Sequence, residues 1–279
     1  MADQMIQDRI SISTDEHGVA DVRLARADKR NALDPAMFDA LIESSDMLAK
    51  DTSLRAVVLS GEGKGFCAGL DFSSFQAMSD SAEGGTPREA SETASEGRIT
   101  HRGQQAVYGW TELPVPVIAA LRGHALGGGI QLALGADIRI AAPDTKMSVL
   151  EIRWGLVPDM TGTQALINLV GLDVAKELTF SGRMVEADEA LHLGLVTQIA
   201  DDPHAVALEM AADIAKKSPH AIRSAKRIFN EASKLTVAEG FAMERKEISR
   251  LIGSPNQAES VKAFFDKREP DFADPELND

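Results

Sequence analysis

Two glycine-rich segments are where the main chain of this sequence could itself do chemistry. Residues 65–72 are GFCAGLDF and residues 123–129 are GHALGGG, and each follows an apolar run typical of a buried strand. Glycine lets the backbone adopt positive φ or approach another group closely. Backbone N–H groups preorganised in this way can stabilise negative charge that develops on an oxygen. The segments therefore indicate a backbone donor site, although tight turns and close packing would also require glycine.

Other common kinds of site have little support in the sequence. The six histidines include no pair spaced along one helix face with a carboxylate, so we expect no metal. The sequence contains no G-x-S-x-G motif, which argues against a serine thioesterase. The GEGKG run is glycine-rich like a phosphate loop, but Lys64 is followed by Gly65 rather than by Ser or Thr. The single cysteine, Cys67, excludes an internal disulfide, and we expect it to be small, buried and apolar rather than nucleophilic.

The charge balance limits the partners of the chain. Its 279 residues include 29 Lys and Arg against 43 Asp and Glu, a net charge of −14, which repels nucleic acid and anionic membranes. An anionic small molecule would need local cationic side chains. No run of about 18 apolar residues is present, and the first ten residues lack the apolar core of a signal peptide. We therefore expect a cytoplasmic protein without a nucleic-acid or membrane partner.

Alternating strand and helix patterns surround the glycine-rich segments and predict an α/β fold. The runs ISIST and VADVRLAR predict a hairpin that turns at His17-Gly18, and Asp34-Pro35 predicts the start of a helix. Residues 79–100 are rich in Ser, Glu, Gly and Thr and predict a surface insertion. Beyond residue 200 the pattern is entirely helical. We therefore expect an α/β core over residues 1–200 and a helical region over residues 201–279, with helices near 203–217, 219–234, 236–252 and 255–267.

The two glycine-rich segments resemble those of the crotonase (enoyl-CoA hydratase/isomerase) superfamily. GFCAGLDF is similar to the family element F-x-A-G-x-D-[IF], and GHALGGG to the element G-x-A-x-G-G-G. The resemblance extends from about residue 10 to about residue 268 and includes SGRMVEADEALHLGLVTQI and AFFDKR. It implies a crotonase-like spiral of ββα units with a C-terminal helical trimerisation region, assembled as a homotrimer or a dimer of trimers. It also implies an acyl-CoA substrate and no cofactor, since coenzyme A is part of that substrate.

By the same resemblance, the backbone N–H groups of Leu70 and Gly128 form an oxyanion hole for the thioester oxygen. The run KRNAL at residues 29–33 matches a segment that contacts the adenine and phosphate end of coenzyme A. Lys267 and Arg268 match a pair that reaches coenzyme A from the last helix, often across a subunit boundary. Each of these cations could equally be a solvated surface side chain. The substrate-binding residues that we predict are Lys29, Arg30, Ala32, Ala68, Asp71, Gln131, Trp154, Phe264 and Lys267.

Only one of the two carboxylates that hydratases of this family use is present in this sequence. Hydratases of this family use two glutamates, and Glu151 matches the second, but Gln131 occupies the position of the first. An amide cannot accept a proton at any useful pH, so two-glutamate hydration is in doubt. Asp159 matches an aspartate of dienoyl-CoA isomerases, where it moves a proton, and of aromatic dehalogenases, where it is a nucleophile. The alternatives are that Asp159 caps the following helix and that Glu151 lies at the surface.

These residues predict an enzyme that moves protons on an acyl-CoA thioester. Glu151 is the main proton carrier and Asp159 a possible partner, and burial beside an apolar acyl pocket containing Trp154 would raise both pKa values. Isomerisation of an enoyl-CoA is favoured over hydration because Gln131 replaces one acid. The alternative function is a non-catalytic acyl-CoA-binding protein of the same fold.

Overall fold

The computed structural model describes residues 4–74, 76 and 94–277, and most of the surface insertion predicted at 79–100 lies outside these residues. The described strands are β1 (Gln4–Ile6), β2 (Ile10–Thr14), β3 (Val19–Leu24), β4 (Ala56–Gly61), β5 (Val117–Leu121), β6 (His124–Leu126), β7 (Ile138–Ala141), β8 (Lys146–Ser148), β9 (Val185–Glu186) and β10 (Gln198–Ile199). The described α-helices that we number are α1 (Pro35–Leu48), α2 (Arg102–Glu112), α3 (Gly128–Leu134), α4 (Gly162–Val170), α5 (Leu172–Ser181), α6 (Ala187–Leu193), α7 (Pro203–Ala215), α8 (Pro219–Ala232), α9 (Val237–Leu251) and α10 (Pro255–Asp266).

The larger sheet has the strand order β1-β2-β3-β4-β5-β7-β10. The pairs β1–β2 and β2–β3 are antiparallel, and the pairs from β3–β4 onward are parallel. The predicted hairpin is confirmed: Gly18 has φ 79°, and the Asp15 side chain accepts hydrogen bonds from the N–H groups of His17 and Val19. Parallel neighbouring strands must be joined by crossover connections, and helices make these connections here. The predicted α/β class is therefore confirmed.

A smaller sheet, with the order β6-β8-β9, leads the chain into the second glycine-rich segment. β6 pairs with β8 in parallel, and α3 begins directly after β6. The first glycine-rich segment joins β6 through a parallel bridge between Cys67 and Ala125. The two segments that the sequence singles out are therefore hydrogen-bonded neighbours.

Helices cover both faces of the larger sheet. On one face, buried side chains of α1 and α2, such as Leu41 and Trp110, belong to the main apolar core. On the other face, Ala207 and Ala211 of α7 pack against strand residues that include Val58 and Ile118. α7 therefore completes the α/β core although it follows residue 200, and the predicted division at 200/201 remains a prediction.

The remaining C-terminal helices are attached by buried polar contacts. The Lys226 ammonium of α8 donates to Asp137 Oδ2 at 2.8 Å and to the Val115 carbonyl at 2.9 Å. Burial lowers the pKa of Lys226, against the attraction of Asp137. Glu247 of α9 accepts from Arg227 of α8 at 2.7 Å. The predicted helix start at Asp34-Pro35 is confirmed, because the Asp34 side chain accepts from Met37 N–H, and Ser254 caps α10 in the same way by accepting from Gln257 N–H.

Candidate active site

The backbone around Leu70 is oriented by a parallel bridge to Leu33. The Leu33 N–H donates to the Gly69 carbonyl at 2.8 Å, and the Asp71 N–H donates to the Leu33 carbonyl at 3.0 Å. In this parallel bridge Leu33 makes both hydrogen bonds, and its partners are the two residues that flank Leu70. The N–H and carbonyl of Leu70 itself lie on the opposite side of its strand. The N–H of Leu70 therefore points away from Leu33.

The backbone before Gly128 is oriented by the neighbouring strands. Leu126 N–H donates to the Cys67 carbonyl at 3.0 Å, and Gly127 N–H donates to the Ser148 carbonyl at 2.9 Å. Gly128 is the first residue of α3, and the first N–H groups of a helix have no partner within it. A Cβ placed on Gly69 would lie 2.6 Å from the Leu126 carbonyl oxygen and 3.7 Å from the Gly128 nitrogen. The segments bearing the two predicted donors are therefore in contact.

Glycine is required at different positions of the second segment for different physical reasons. Gly127 has φ 53° and ψ −122°, a combination that side chains strongly disfavour. A Cβ on Gly129 would lie 2.2 Å from the Cys67 carbonyl oxygen, so Gly129 permits close packing of the two segments. The packing explanation that the sequence left open therefore accounts for Gly129, whereas Gly127 is needed for its backbone conformation.

Glu151 lies in a 3-10 turn, Glu151–Trp154, that follows β8, and its side chain is buried. Its Oε1 accepts a hydrogen bond from Gln131 Nε2 at 2.6 Å, and a Cβ on Gly127 would lie 3.5 Å from the same oxygen. Its Oε2 is buried and has no hydrogen-bond partner among the described residues. Burial is the largest cause that raises the pKa of Glu151, and the charge of Asp159 raises it further. A buried carboxylate with one unpartnered oxygen is equipped to take up a proton.

Gln131 is almost completely buried and links three parts of the site. Besides donating to Glu151, it accepts from the N–H groups of Met160 at 2.8 Å and Gly162 at 3.1 Å. The sequence indicates only that an acid is absent at this position. An amide can donate and accept at once, and this property is the signal that could have predicted the link.

Asp159 and Trp154 differ from the predicted arrangement. The Asp159 side chain is exposed, and the helix cap is not its role, because α4 begins at Gly162 after Thr161, which has φ 70°. Trp154 is about half exposed and contacts the Phe72 ring edge-on, with centroids 6.1 Å apart. The expectation that an apolar pocket buries both carboxylates is therefore wrong for Asp159. The charge of Asp159 nevertheless contributes to the raised pKa of Glu151.

The predicted coenzyme A segment lies beside the first glycine-rich segment. Lys29 and Arg30 are exposed, Ala32 is buried and Ala68 is partly buried. The Ala68 N–H donates to the Arg30 carbonyl at 3.0 Å. Asn31 is fully buried and its amide donates to backbone carbonyls of the Gly65 region. The geometry thus joins residues 29–32 to the segment that contains Leu70.

Asp71 is engaged by the protein itself. Its carboxylate accepts from Ser73 Oγ at 2.7 Å and from Arg26 Nη1 at 2.6 Å. The hydrogen bonds of Ser73, followed by those of Arg26, lower the pKa of Asp71 to about 2. Arg26 also donates to the Ala32 carbonyl at 3.0 Å, so it links the two segments. Sequence reasoning missed Arg26, because nothing in its spacing distinguishes it from a surface cation.

Phe264 and Lys267 lie at the end of α10 and both are exposed. Lys267 follows the helix with φ 54°, and the neighbouring Arg268 is paired with Glu259 at 2.6 Å. No hydrogen bond or ion pair of the described residues joins α10 to Glu151 or to the glycine-rich segments. Within one chain, these two predicted binding residues are therefore not brought to the site.

Cys67 is fully buried, and burial raises the pKa of its thiol to about 12, as expected for an apolar role. Within residues 4–74, 76 and 94–277, no cluster of three or more His, Cys, Asp or Glu side chains is placed to hold a metal ion. In the same part of the chain, no helix combines the length and the apolar character needed to cross a membrane.

Comparison with known proteins identifies the family. The family model for enoyl-CoA hydratase/isomerase matches residues 14–275. A mitochondrial methylglutaconyl-CoA hydratase of Mus musculus is 30% identical over 268 residues, covering 94% of this chain and 81% of its own. A probable enoyl-CoA hydratase of Bacillus subtilis (strain 168) is 33% identical over 245 residues, covering 87% and 90%.

A solved structure supports the same assignment. The enoyl-CoA hydratase from Bacillus anthracis superposes with a TM-score of 0.83 at 31% identity, covering 95% of this chain and 98% of the other. The α/β fold, the glycine-rich motifs and these relatives agree along almost the whole sequence. The chain therefore belongs to the enoyl-CoA hydratase/isomerase family, with the crotonase fold.

Proposed function

We propose that the protein isomerises an enoyl-CoA thioester, with Glu151 as the catalytic acid and base. The observation that supports this choice is the contact between Gln131 Nε2 and Glu151 Oε1 at 2.6 Å. At this position a second carboxylate would be required to activate water, and the amide cannot do so. Isomerisation needs one carboxylate that accepts and returns a proton, and it needs no water.

The proposed reaction balances without a cofactor. Glu151 Oε2 removes a proton from C2 of a 3-enoyl thioester, and the electrons of that C–H bond form an enolate whose charge lies on the thioester oxygen. The N–H groups of Leu70 and Gly128 stabilise this oxygen more strongly than the neutral carbonyl. Glu151 then returns the proton to C4, the double bond moves to C2–C3, and the carboxylate is regenerated. Coenzyme A takes part only as a portion of the substrate.

A substrate panel tests the reaction. Purified protein is incubated with 2-enoyl, 3-enoyl and 3,5-dienoyl thioesters of coenzyme A, and the absorbance of the conjugated thioester and diene bands is followed. We expect the conjugated band to grow with the 3-enoyl substrate and to persist with the 2-enoyl substrate. Rapid loss of the band from the 2-enoyl substrate would instead identify a hydratase.

A second candidate is a non-catalytic acyl-CoA-binding protein, which the absence of an acid at Gln131 favours. Isothermal titration with a non-reactive acyl-CoA analogue distinguishes this candidate. Binding of the analogue without turnover of any of the three thioesters would support it, and turnover of any one would exclude it.

We also propose that the site is completed by assembly into a homotrimer or a dimer of trimers. Large apolar side chains on the C-terminal helices are exposed in the single chain, among them Phe229, Phe264 and Phe265. Exposed apolar surface of this extent is typical of a protein interface. Assembly would give Phe264 and Lys267 a route to the coenzyme A of a neighbouring subunit, where Lys29 and Arg30 supply further positive charge. Cytoplasmic location remains a prediction from composition.

A further inference from the structure

The Gln131 side chain makes three hydrogen bonds in the interior, and all three end on parts of the candidate site. Its Nε2 meets Glu151 Oε1 at 2.6 Å, and its Oε1 accepts from Met160 N–H at 2.8 Å and from Gly162 N–H at 3.1 Å. Because the side chain is only 1% exposed, these partners are not exchanged for bulk water. The amide therefore connects the carboxylate to the backbone of the loop before α4.

That loop also touches the predicted oxyanion donor. A Cβ on Gly128 would lie 3.1 Å from Met160 Sδ, so the Met160 side chain packs against the first residue of α3. A Cβ on Gly162 would lie 2.7 Å from Gln131 Oε1, which shows how tightly the loop closes on the amide. Gln131 and Met160 thus form a continuous connection from Glu151 to Gly128.

From this geometry we infer that Gln131 is a positioning residue, which holds Glu151 through Oε1, leaves Oε2 as the proton-transfer atom, and keeps the Met160–Gly162 loop against Gly128. The inference rests on the proposed function for its catalytic meaning. Its physical core is the asymmetry of the carboxylate: Oε1 has a donor, whereas Oε2 is buried with no partner among the described residues. The oxygen without a donor has both of its lone pairs available to a substrate proton.

The amide also sets the charge environment of Glu151. The charged group that acts on this carboxylate among the described residues is Asp159, and it disfavours ionisation, as does burial. The Gln131 hydrogen bond acts in the opposite direction and favours the ionised base. A carboxylate at position 131 would keep both acceptor contacts but would place a second negative charge beside Oε1. Two carboxylates this close share a proton, and the pKa of the pair rises.

Gln131→Glu is the main test, because it preserves size and the two loop contacts. We expect the acidic limb of the pH profile of kcat/KM for the 3-enoyl thioester to move up by about one pH unit or more. KM should change little. Gln198→Glu is the matched control, since it adds the same charge at an exposed residue of β10. An acidic limb that is the same in the wild type and in Gln131→Glu would overturn the inference.

A second measurement separates this inference from the proposed function. The side-chain carboxyl of Glu151 is titrated by ¹³C NMR without substrate, and its signal is assigned by its absence in Glu151→Gln. An upward shift of this titration in Gln131→Glu, but not in Gln198→Glu, supports the positioning role even if no thioester is turned over. In that case only the proposed reaction fails. An unshifted titration overturns the positioning role whether or not the enzyme is active.

Gln131→Met provides the complementary loss of contact. It removes the donor to Glu151 and leaves the N–H groups of Met160 and Gly162 without their acceptor. We expect kcat to fall about tenfold to a hundredfold, with a smaller change in KM, for the folded variant. Because this variant can also lose stability, its circular dichroism is compared with that of Gln131→Glu. An unchanged kcat in a folded Gln131→Met protein would contradict the positioning role.

Discussion

The region around Glu151 and the C-terminal helices α8–α10 are built in opposite ways. Around Glu151, glycines bring backbone segments to within van der Waals distance, and buried polar groups such as Gln131 contact partners inside the chain. On α8–α10, polar contacts such as Lys226 with Asp137 attach the helices, while Phe229 and Phe264 are each 78% exposed. The contacts described in the first region are made within one chain, whereas the second region presents apolar surface outward.

This difference separates two kinds of predicted site residue. Leu70, Gly128 and Glu151 depend on local backbone geometry, which one chain determines by itself. Phe264 and Lys267 lie on an exposed surface in the single chain, so under the proposed assembly we expect any contribution to substrate binding to come through a neighbouring subunit. Variants in the two regions should therefore have different signatures, with loss of kcat in the first and weaker binding in the second.

The largest effect should come from Glu151→Gln, which removes the proposed proton carrier. We expect kcat to fall about 10²–10⁴-fold, the usual contribution of general acid–base catalysis. The amide keeps an oxygen that can accept from Gln131, so the fold and the binding of an acyl-CoA analogue should be retained. Steady-state rates and isothermal titration check this result. Undiminished turnover would show that Glu151 is not the proton carrier.

Gly69→Ala should have the next largest effect, because it disturbs the contact between the two glycine-rich segments. Gly69 has φ 87°, and an added Cβ would lie 2.6 Å from the Leu126 carbonyl oxygen. Displacing the Leu70 N–H should lower kcat/KM about a hundredfold, as loss of one oxyanion donor does.

Gly97→Ala is the matched control for Gly69→Ala. Gly97 has φ 74°, and no heavy atom of the described chain beyond its own neighbours lies within 4 Å of its added Cβ. It therefore has a similar backbone strain without the close contact. Equal losses of kcat/KM in the two variants would indicate that strain alone, rather than the position of Leu70, is responsible.

The pH dependence of kcat/KM tests the electrostatics around Glu151. Because burial raises the pKa of Glu151, the acidic limb of kcat/KM should lie above the ordinary glutamate range. Below that pKa the base is protonated, and the rate should fall tenfold for each pH unit. Asp159→Asn removes a nearby negative charge, so the limb should move to lower pH. A limb that moves upward, or does not move, would exclude Asp159 as a neighbour of the base.

Lys267→Ala should have the smallest effect and should show the second signature. An exposed cation that contacts a phosphate contributes at most about 1 kcal/mol, so KM should rise up to about fivefold while kcat is unchanged. Lys262→Ala changes another exposed lysine of α10 and should leave KM unaltered. Sedimentation velocity on both variants shows whether assembly is retained. A fall in kcat for Lys267→Ala would mean that the two regions are not separable in this way.

The sequence by itself determined the α/β class, the hairpin, the helix start at Asp34-Pro35, the last helix near 255–267, and the glycine-rich motifs. These features depend on local patterns: apolar periodicity, capping side chains and the conformational freedom of glycine. The family resemblance, which the comparisons confirm, adds the candidate roles of Leu70, Gly128 and Glu151. Such information lies within short stretches of chain and needs no knowledge of distant contacts.

Only the tertiary structure decided which side chains are buried and which groups they meet. It exposed Asp159, used Asp71 as a partner of Arg26, and packed α7 against the larger sheet. It also turned Gln131 from an absent acid into a connection between Glu151 and the Met160–Gly162 loop. Burial and hydrogen bonding between residues about 20 to 45 positions apart depend on how the elements pack. Residue type and spacing alone do not specify that packing.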